Sequence, residues 1–154
     1  MTLSFNELLE SCKTQGLKMT PQRRWVLECL YAAIEPLTAY ELLAVYRKAH
    51  GSGEAMTIYR ALSYLEEKHL IHKIHSQNKY KLCDAKHNDF SVQLFLCARC
   101  REVREIHSNL LQQALNKTAQ VNGFKVQESA LELVGICKKC STQLKHDRKK
   151  LPQK

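Results

Sequence analysis

Four cysteines in two pairs of identical spacing carry the clearest chemistry in this 154-residue chain. Cys97 and Cys100 form one C-x-x-C, Cys137 and Cys140 a second, and 36 residues lie between the pairs. Each C-x-x-C offers two thiolates on one side of a tight loop. Two such loops complete the tetrahedral, all-sulfur shell of a structural zinc ion. Arg99, Arg101, Lys138 and Lys139 stand beside the cysteines and offset the net negative charge of a tetrathiolate site. Because the pairs bracket a whole segment, the metal would join its two ends. Zinc binding there would contribute on the order of 10 kcal/mol to folding at neutral pH. Redox chemistry at a single C-x-x-C is the competing reading, but no thioredoxin-like βαβ pattern surrounds either pair.

A second donor set is mixed: His72, Cys83, His87 and Glu105. A two-residue turn at Gln77-Asn78 sets His72 directly opposite Cys83 on paired strands. His87 follows Cys83 by four residues, and Glu105 follows Cys100 by five. Nitrogen, sulfur and oxygen donors drawn from two parts of the chain would order the segment between them only when metal is present. His69, His75, His107 and Asp84 are neighbouring donors that compete for the same roles.

A third feature is an amphipathic pattern over residues 56–68. Ile58, Ala61, Leu62 and Leu65 recur at helical spacing, and Thr57, Tyr59, Arg60, Ser63 and Tyr64 fall on the other face. Tyr59 and Arg60 sit near the start, where a recognition helix meets base edges. Arginine bonds guanine O6 and N7 bidentately, worth about 1–3 kcal/mol of discrimination.

The elements that position these groups are marked by capping and turn residues. Thr20-Pro21 opens a helix that carries Val26, Leu27, Leu30 and Ile34, and Pro36 closes that segment. Thr38 with Glu41 is a capping box for a second helix, with Leu42, Leu43, Tyr46 and Ala49 inward and Gly51-Ser52-Gly53 as its break. Two short strands around Ser76-Gln77-Asn78 make a hairpin after the 56–68 helix. Helices followed by a hairpin describe a winged helix-turn-helix, with residues 5–17 as an extra helix. Further on, strands lead into and out of the first cysteine pair. A helix capped by Ser108 runs to Val121 and stops at Asn122-Gly123, and residues 124–136 alternate as a strand. Ile71, Phe95, Leu110, Leu111 and Leu115 are expected in the core. The fold class is α+β: a winged-helix domain over 1–83, a hinge over 84–89, a metal-bearing α/β domain over 90–140 and a basic tail over 141–154.

Net charge is +9 but uneven. Residues 1–83 hold 11 basic and 8 acidic groups, residues 84–137 hold 6 and 6, and residues 138–154 hold 7 and 1. The excess suits a polyanion such as DNA, but it lies mostly in the tail, where a solvated segment accounts for it equally well. No apolar run approaches the roughly 18 residues of a membrane span. The first residues lack the basic-then-apolar order of a signal peptide, which places the chain in the cytoplasm. No Ser/His/Asp triad, phosphate loop or open catalytic zinc is legible, so no enzyme and no organic substrate is expected.

The chain resembles the ferric uptake regulator family, and within it the zinc uptake regulator branch. The resemblance rests on Met19-Thr20-Pro21-Gln22-Arg23, Thr38-Ala39-Tyr40-Glu41-Leu42, Thr57-Ile58-Tyr59-Arg60-Ala61-Leu62, Ile71-His72-Lys73, Tyr80-Lys81-Leu82-Cys83 and the two cysteine pairs. It implies a homodimeric repressor of double-stranded operator DNA whose second domain makes the dimer. It implies that Tyr59 and Arg60 contact DNA, joined by Thr57, with Arg23 and Tyr40 close by. It also implies two zinc ions per chain, a structural one on Cys97, Cys100, Cys137 and Cys140 and a regulatory one on His72, Cys83, His87 and Glu105. Iron-sensing relatives carry an H-H-x-H cluster before the first cysteine pair. Here residues 90–96 contain no metal donor of that kind, and Cys83 supplies a soft thiolate that favours zinc. The alternatives are an iron, manganese or peroxide sensor of the same family, or a zinc-ribbon interaction module that does not bind DNA.

Overall fold

The computed structural model describes residues 4–83, 91–127 and 129–149. The hinge expected over 84–89, with His87 and Asp84, lies outside the described residues. The chain divides into two compact units, residues 1–87 and 88–154.

The first unit begins with α1 (Phe5–Thr14) and α2 (Pro21–Ala32), each opened by a side-chain cap. At α2 the Thr20 hydroxyl accepts from the Arg23 N–H and Pro21 takes the first helical position. A two-residue strand, β1 (Leu37–Thr38), precedes α3 (Ala39–His50), where the Thr38/Glu41 capping box forms in both directions. Gly51, at φ +75°, ends α3 in the left-handed region that a side chain would resist. Then come α4 (Ala55–Glu67), β2 (Ile71–Ile74) and β3 (Lys79–Leu82). The strands form an antiparallel sheet ordered β1-β3-β2. This is a winged helix-turn-helix. Its core gathers Val26, Leu27, Leu30, Leu42, Ile58, Leu62, Leu65 and Ile71.

Several details depart from expectation. Ile34 lies beyond the end of α2 and is fully exposed, because the helix stops at Ala32 before that turn is completed. Ala49, expected inward, is exposed in the last turn of α3. Leu37–Thr38 pairs with β3 at Leu37↔Tyr80, a strand too short to register as a pattern. The hairpin register also differs. His75–Gln77 form a 3-10 turn and Asn78 adopts φ +50°, so residues 75–78 make the connection and Ile74 faces Lys79. His72 therefore stands opposite Lys81, not Cys83. A slip of two residues preserves the face on which each side chain lies, since the strand period is two.

The second unit is built on a three-stranded sheet of order β5-β4-β6, with β4 (Ser91–Cys97) in the centre. β5 (Val103–Glu105) runs antiparallel to it, and β6 (Ser129–Gly135) parallel. The β4–β6 crossover includes α5 (Asn109–Val121), whose Ser108 cap accepts from the Leu111 N–H. α6 (Lys138–Lys149) follows β6 and occupies much of what was expected to be a tail. The strand expected from residue 124 begins at Ser129. Leu94 and Leu96 are buried, but Phe95 and Leu110, expected in the core, are exposed, while Leu111 and Leu115 are half-buried. No described helix is long and apolar enough to cross a membrane.

Candidate metal centres and nucleic-acid face

Parallel pairing of β4 with β6 sets Cys97 beside Gly135. Both cysteine pairs thus arrive at one end of the sheet, one beginning on the last residue of β4 and the other at the start of α6. The four Sγ atoms lie within 4.8 Å of one another, and Cys100 Sγ is 3.7 Å from Cys137 Sγ. Sulfurs about 2.3 Å from a tetrahedral zinc stand about 3.8 Å apart, so this spacing fits a metal and is far too long for a disulfide.

The local backbone is arranged around those sulfurs. The Arg101 N–H donates to the Cys97 carbonyl at 2.9 Å, and Arg101 itself sits at φ +60° as the first knuckle turns. Ala98 N–H donates to the Gly135 carbonyl at 2.8 Å, and the Arg99 guanidinium donates to the Cys140 carbonyl at 3.3 Å. These bonds tie one knuckle to the other. The Cys137 N–H donates to Cys97 Sγ at 3.3 Å. Backbone N–H groups of Cys100, then Cys137 and Arg99, bring the Cys97 thiol down to about 6. Burial, followed by the neighbouring thiols, pushes Cys140 up to about 12. A zinc ion bound there would displace the protons that the thiols still hold.

In the first unit, His72 on β2 and Cys83 just after β3 share one sheet face as diagonal neighbours. Their ligand atoms lie within 4.8 Å of each other. The Cys83 N–H donates to the Leu70 carbonyl at 3.0 Å and continues the ladder, which fixes the thiol's direction. His72 is buried and Cys83 half-buried. Glu105 ends β5 in the second unit, where its shielded carboxylate lies 3.5 Å from His107 Nε2. Of the competing donors, His75 stands exposed in the hairpin turn and His69 follows α4 at φ +53°.

Along α4, Tyr59 and Arg60 are exposed and Thr57 half-buried, opposite the buried stripe Ile58, Ala61, Leu62 and Leu65. Tyr40, near the start of α3, is 77% exposed. Arg23 is held differently: its guanidinium lies 3.4 Å from the Tyr64 ring centre and donates to the Lys18 carbonyl at 2.7 Å. The turn into α4 is tightly packed. A Cβ on Gly53 would fall 2.6 Å from Tyr46 Cδ1, and the Arg47 side chain donates to the Gly53 carbonyl at 3.0 Å. Gln93 was not foreseen from the sequence. It is buried on β4, its Nε2 donates to the Ser108 carbonyl at 3.4 Å, and its Oε1 has no partner among the described residues.

Comparison with known proteins adds context to this geometry. The Ferric uptake regulator family model matches residues 14–134. The chain is 31% identical over 130 residues to the zinc uptake regulation protein of Escherichia coli (strain K12), covering 84% of this chain and 76% of that protein. Among solved structures, a zinc uptake regulator complexed with zinc and DNA has a TM-score of 0.83 at 28% identity, covering 92% of this chain and 95% of the other. Holo XcZur has a TM-score of 0.79 at 32% identity, covering 90% and 96%.

Proposed function

This chain belongs to the ferric uptake regulator family, and we propose that it is a zinc-responsive transcriptional repressor, not an enzyme, that acts in the cytoplasm. It binds palindromic operator DNA as a metal-loaded homodimer and represses zinc-uptake genes. The observation that carries the metal assignment is the donor chemistry. Four cysteine sulfurs lie within 4.8 Å of one another in one unit, and the His72 and Cys83 ligand atoms lie as close in the other. The similarity to proteins named for zinc uptake supports the same reading.

Each chain would hold two zinc ions. Cys97, Cys100, Cys137 and Cys140 hold the structural ion and make the second unit foldable. His72, Cys83, His87 and Glu105 hold the regulatory one, and the thiolate favours zinc over iron. Bound zinc supplies a charge-dense centre around which these side chains converge. By converging they favour the DNA-competent dimer over alternatives, a coupling of about 1–3 kcal/mol per effector in typical regulators. By reciprocity, operator DNA tightens the grip of these residues on zinc.

The second unit leaves Leu133, Val134 and Ile136 of the β6 region and Leu110 and Val121 of α5 exposed. A cavity of about 430 Å³ opens on the sheet between Phe95, Ile106 and Leu133. A second copy of the chain would cover this apolar surface. On the DNA side, Arg60 and Tyr59 read base edges from α4, Thr57 and Tyr40 contact the backbone beside it, and Arg23 braces the helix through Tyr64 while lying close to the phosphates.

Zinc content per chain and operator affinity, measured together in wild type and Cys83→Ser, test the proposal. Two zinc ions should fall to one, with operator affinity reduced at limiting zinc. Undiminished operator binding by Cys83→Ser at limiting zinc would overturn the assigned sensing role.

A further inference from the structure

We propose that Lys81 sets the zinc threshold of the regulatory site, its ammonium charge opposing cation binding by His72 and Cys83. The inference rests on the assignment of those two residues as regulatory ligands. The β2–β3 register places Lys81 directly across from His72, the position that a two-residue turn would have given to Cys83. Directly opposed residues bring their Cβ atoms within about 5.5 Å, on the same face. Cys83, two residues beyond Lys81, shares that face by the strand period.

The position of the ammonium group is further defined by a hydrogen bond. Lys81 Nζ donates to the Leu82 carbonyl at 3.3 Å, which keeps it at the peptide leading into Cys83. Lys81 is half-buried and His72 buried, so water screens this charge less than it would on an open surface. The four-cysteine site differs in its balance. There, four thiolates carry an excess of negative charge, and neighbouring cations offset it. The mixed site, with one thiolate and the Glu105 carboxylate, carries half the negative charge of four thiolates, so one lysine removes a larger share of the attraction. Charge count among the ligands is a general means of tuning metal affinity, and a sensor requires a threshold instead of the tightest attainable site.

The test measures zinc affinity of the full-length dimer, structural zinc in place and DNA absent, by competition with a chromophoric chelator. Lys81→Gln should bind the Cys83-dependent zinc roughly three- to tenfold more tightly than wild type, the size expected for one incompletely screened charge. Lys81→Arg, which keeps the charge, should stay within about twofold of wild type, and added salt should narrow the gap. With DNA restored, Lys81→Gln should half-saturate operator at correspondingly lower free zinc. An unchanged or weaker affinity in Lys81→Gln, with a Cys83-dependent zinc still present, overturns the proposal. Equal tightening in Lys81→Arg also overturns it, by making packing the cause. If wild type holds no Cys83-dependent zinc, the regulatory-site assignment itself falls, and the proposal with it.

Discussion

Leu62 and Leu110 are both leucines on amphipathic helices, yet the first is 1% exposed and the second 80%. Leu62 lies in a core that α2, α3, α4 and the small sheet close among themselves. Leu110 lies on α5, in a unit whose buried apolar residues include Leu94, Leu96, Cys97 and Cys140, while Phe95, Val121, Phe124 and Val134 face outward. The first unit closes a contiguous core of its own, although Ile34, Val45 and Met56 stay exposed. The second has 67 residues and a short mixed sheet, too little core to stand on burial alone. Its cysteines supply the missing closure at one end of the sheet, and its outward apolar residues await a partner. Stability in one unit comes from packing, and in the other from chemistry and assembly.

The sharpest way to break this contrast is Cys100→Ser. Losing one thiolate of a tetrahedral site should cost the second unit much of a binding energy on the order of 10 kcal/mol. Amide exchange should rise across β4–β6 and α5 while α2–α4 stay protected. Uniform protection in both units would refute the division. A smaller effect separates the two leucines. Leu62→Ala should destabilise the first unit by about 2–5 kcal/mol. Leu110→Ala should leave monomer stability within about 0.5 kcal/mol and loosen the dimer by roughly tenfold, read by sedimentation. Arg60→Ala should leave thermal unfolding unchanged and reduce discrimination between operator and scrambled duplex by about 1–3 kcal/mol, measured by anisotropy titration.

The smallest expected effect is a pH dependence confined to the first unit. The Thr38 backbone N–H and hydroxyl donate to the Glu41 carboxylate at 2.7 and 2.8 Å and hold it below its ordinary value of 4.5. A depressed carboxyl adds stability that is present above 4.5, the unfolded value, and is lost as pH falls through the folded value. The thermal stability of the first unit should fall in that acid window, and Glu41→Gln should flatten part of the slope.

The sequence alone determined most local elements of the first unit and the metal-bearing spacings, but not α6, which was expected to be a tail. Thr20-Pro21, the Thr38/Glu41 box, Gly51 and Ser108 act on neighbours within four residues, so the starts of α2, α3 and α5 and the end of α3 could be read directly, while the end of α2 could not. The buried stripe of α4 followed from periodicity, and the two C-x-x-C pairs declared their chemistry without a fold. What remained hidden depends on contacts between distant residues. The exposure of Phe95 and Leu110 could not be read, because an apolar residue that its own unit covers and one that it leaves open look alike in sequence. The hairpin register was misjudged because a 3-10 turn with Asn78 in the left-handed region uses two more residues than the tightest turn. That change left His72 and Cys83 on the same face, since the strand period is two, yet it made Lys81 the residue opposite His72. Only tertiary structure decided that neighbour, because pairing across strands is set by the turn between them.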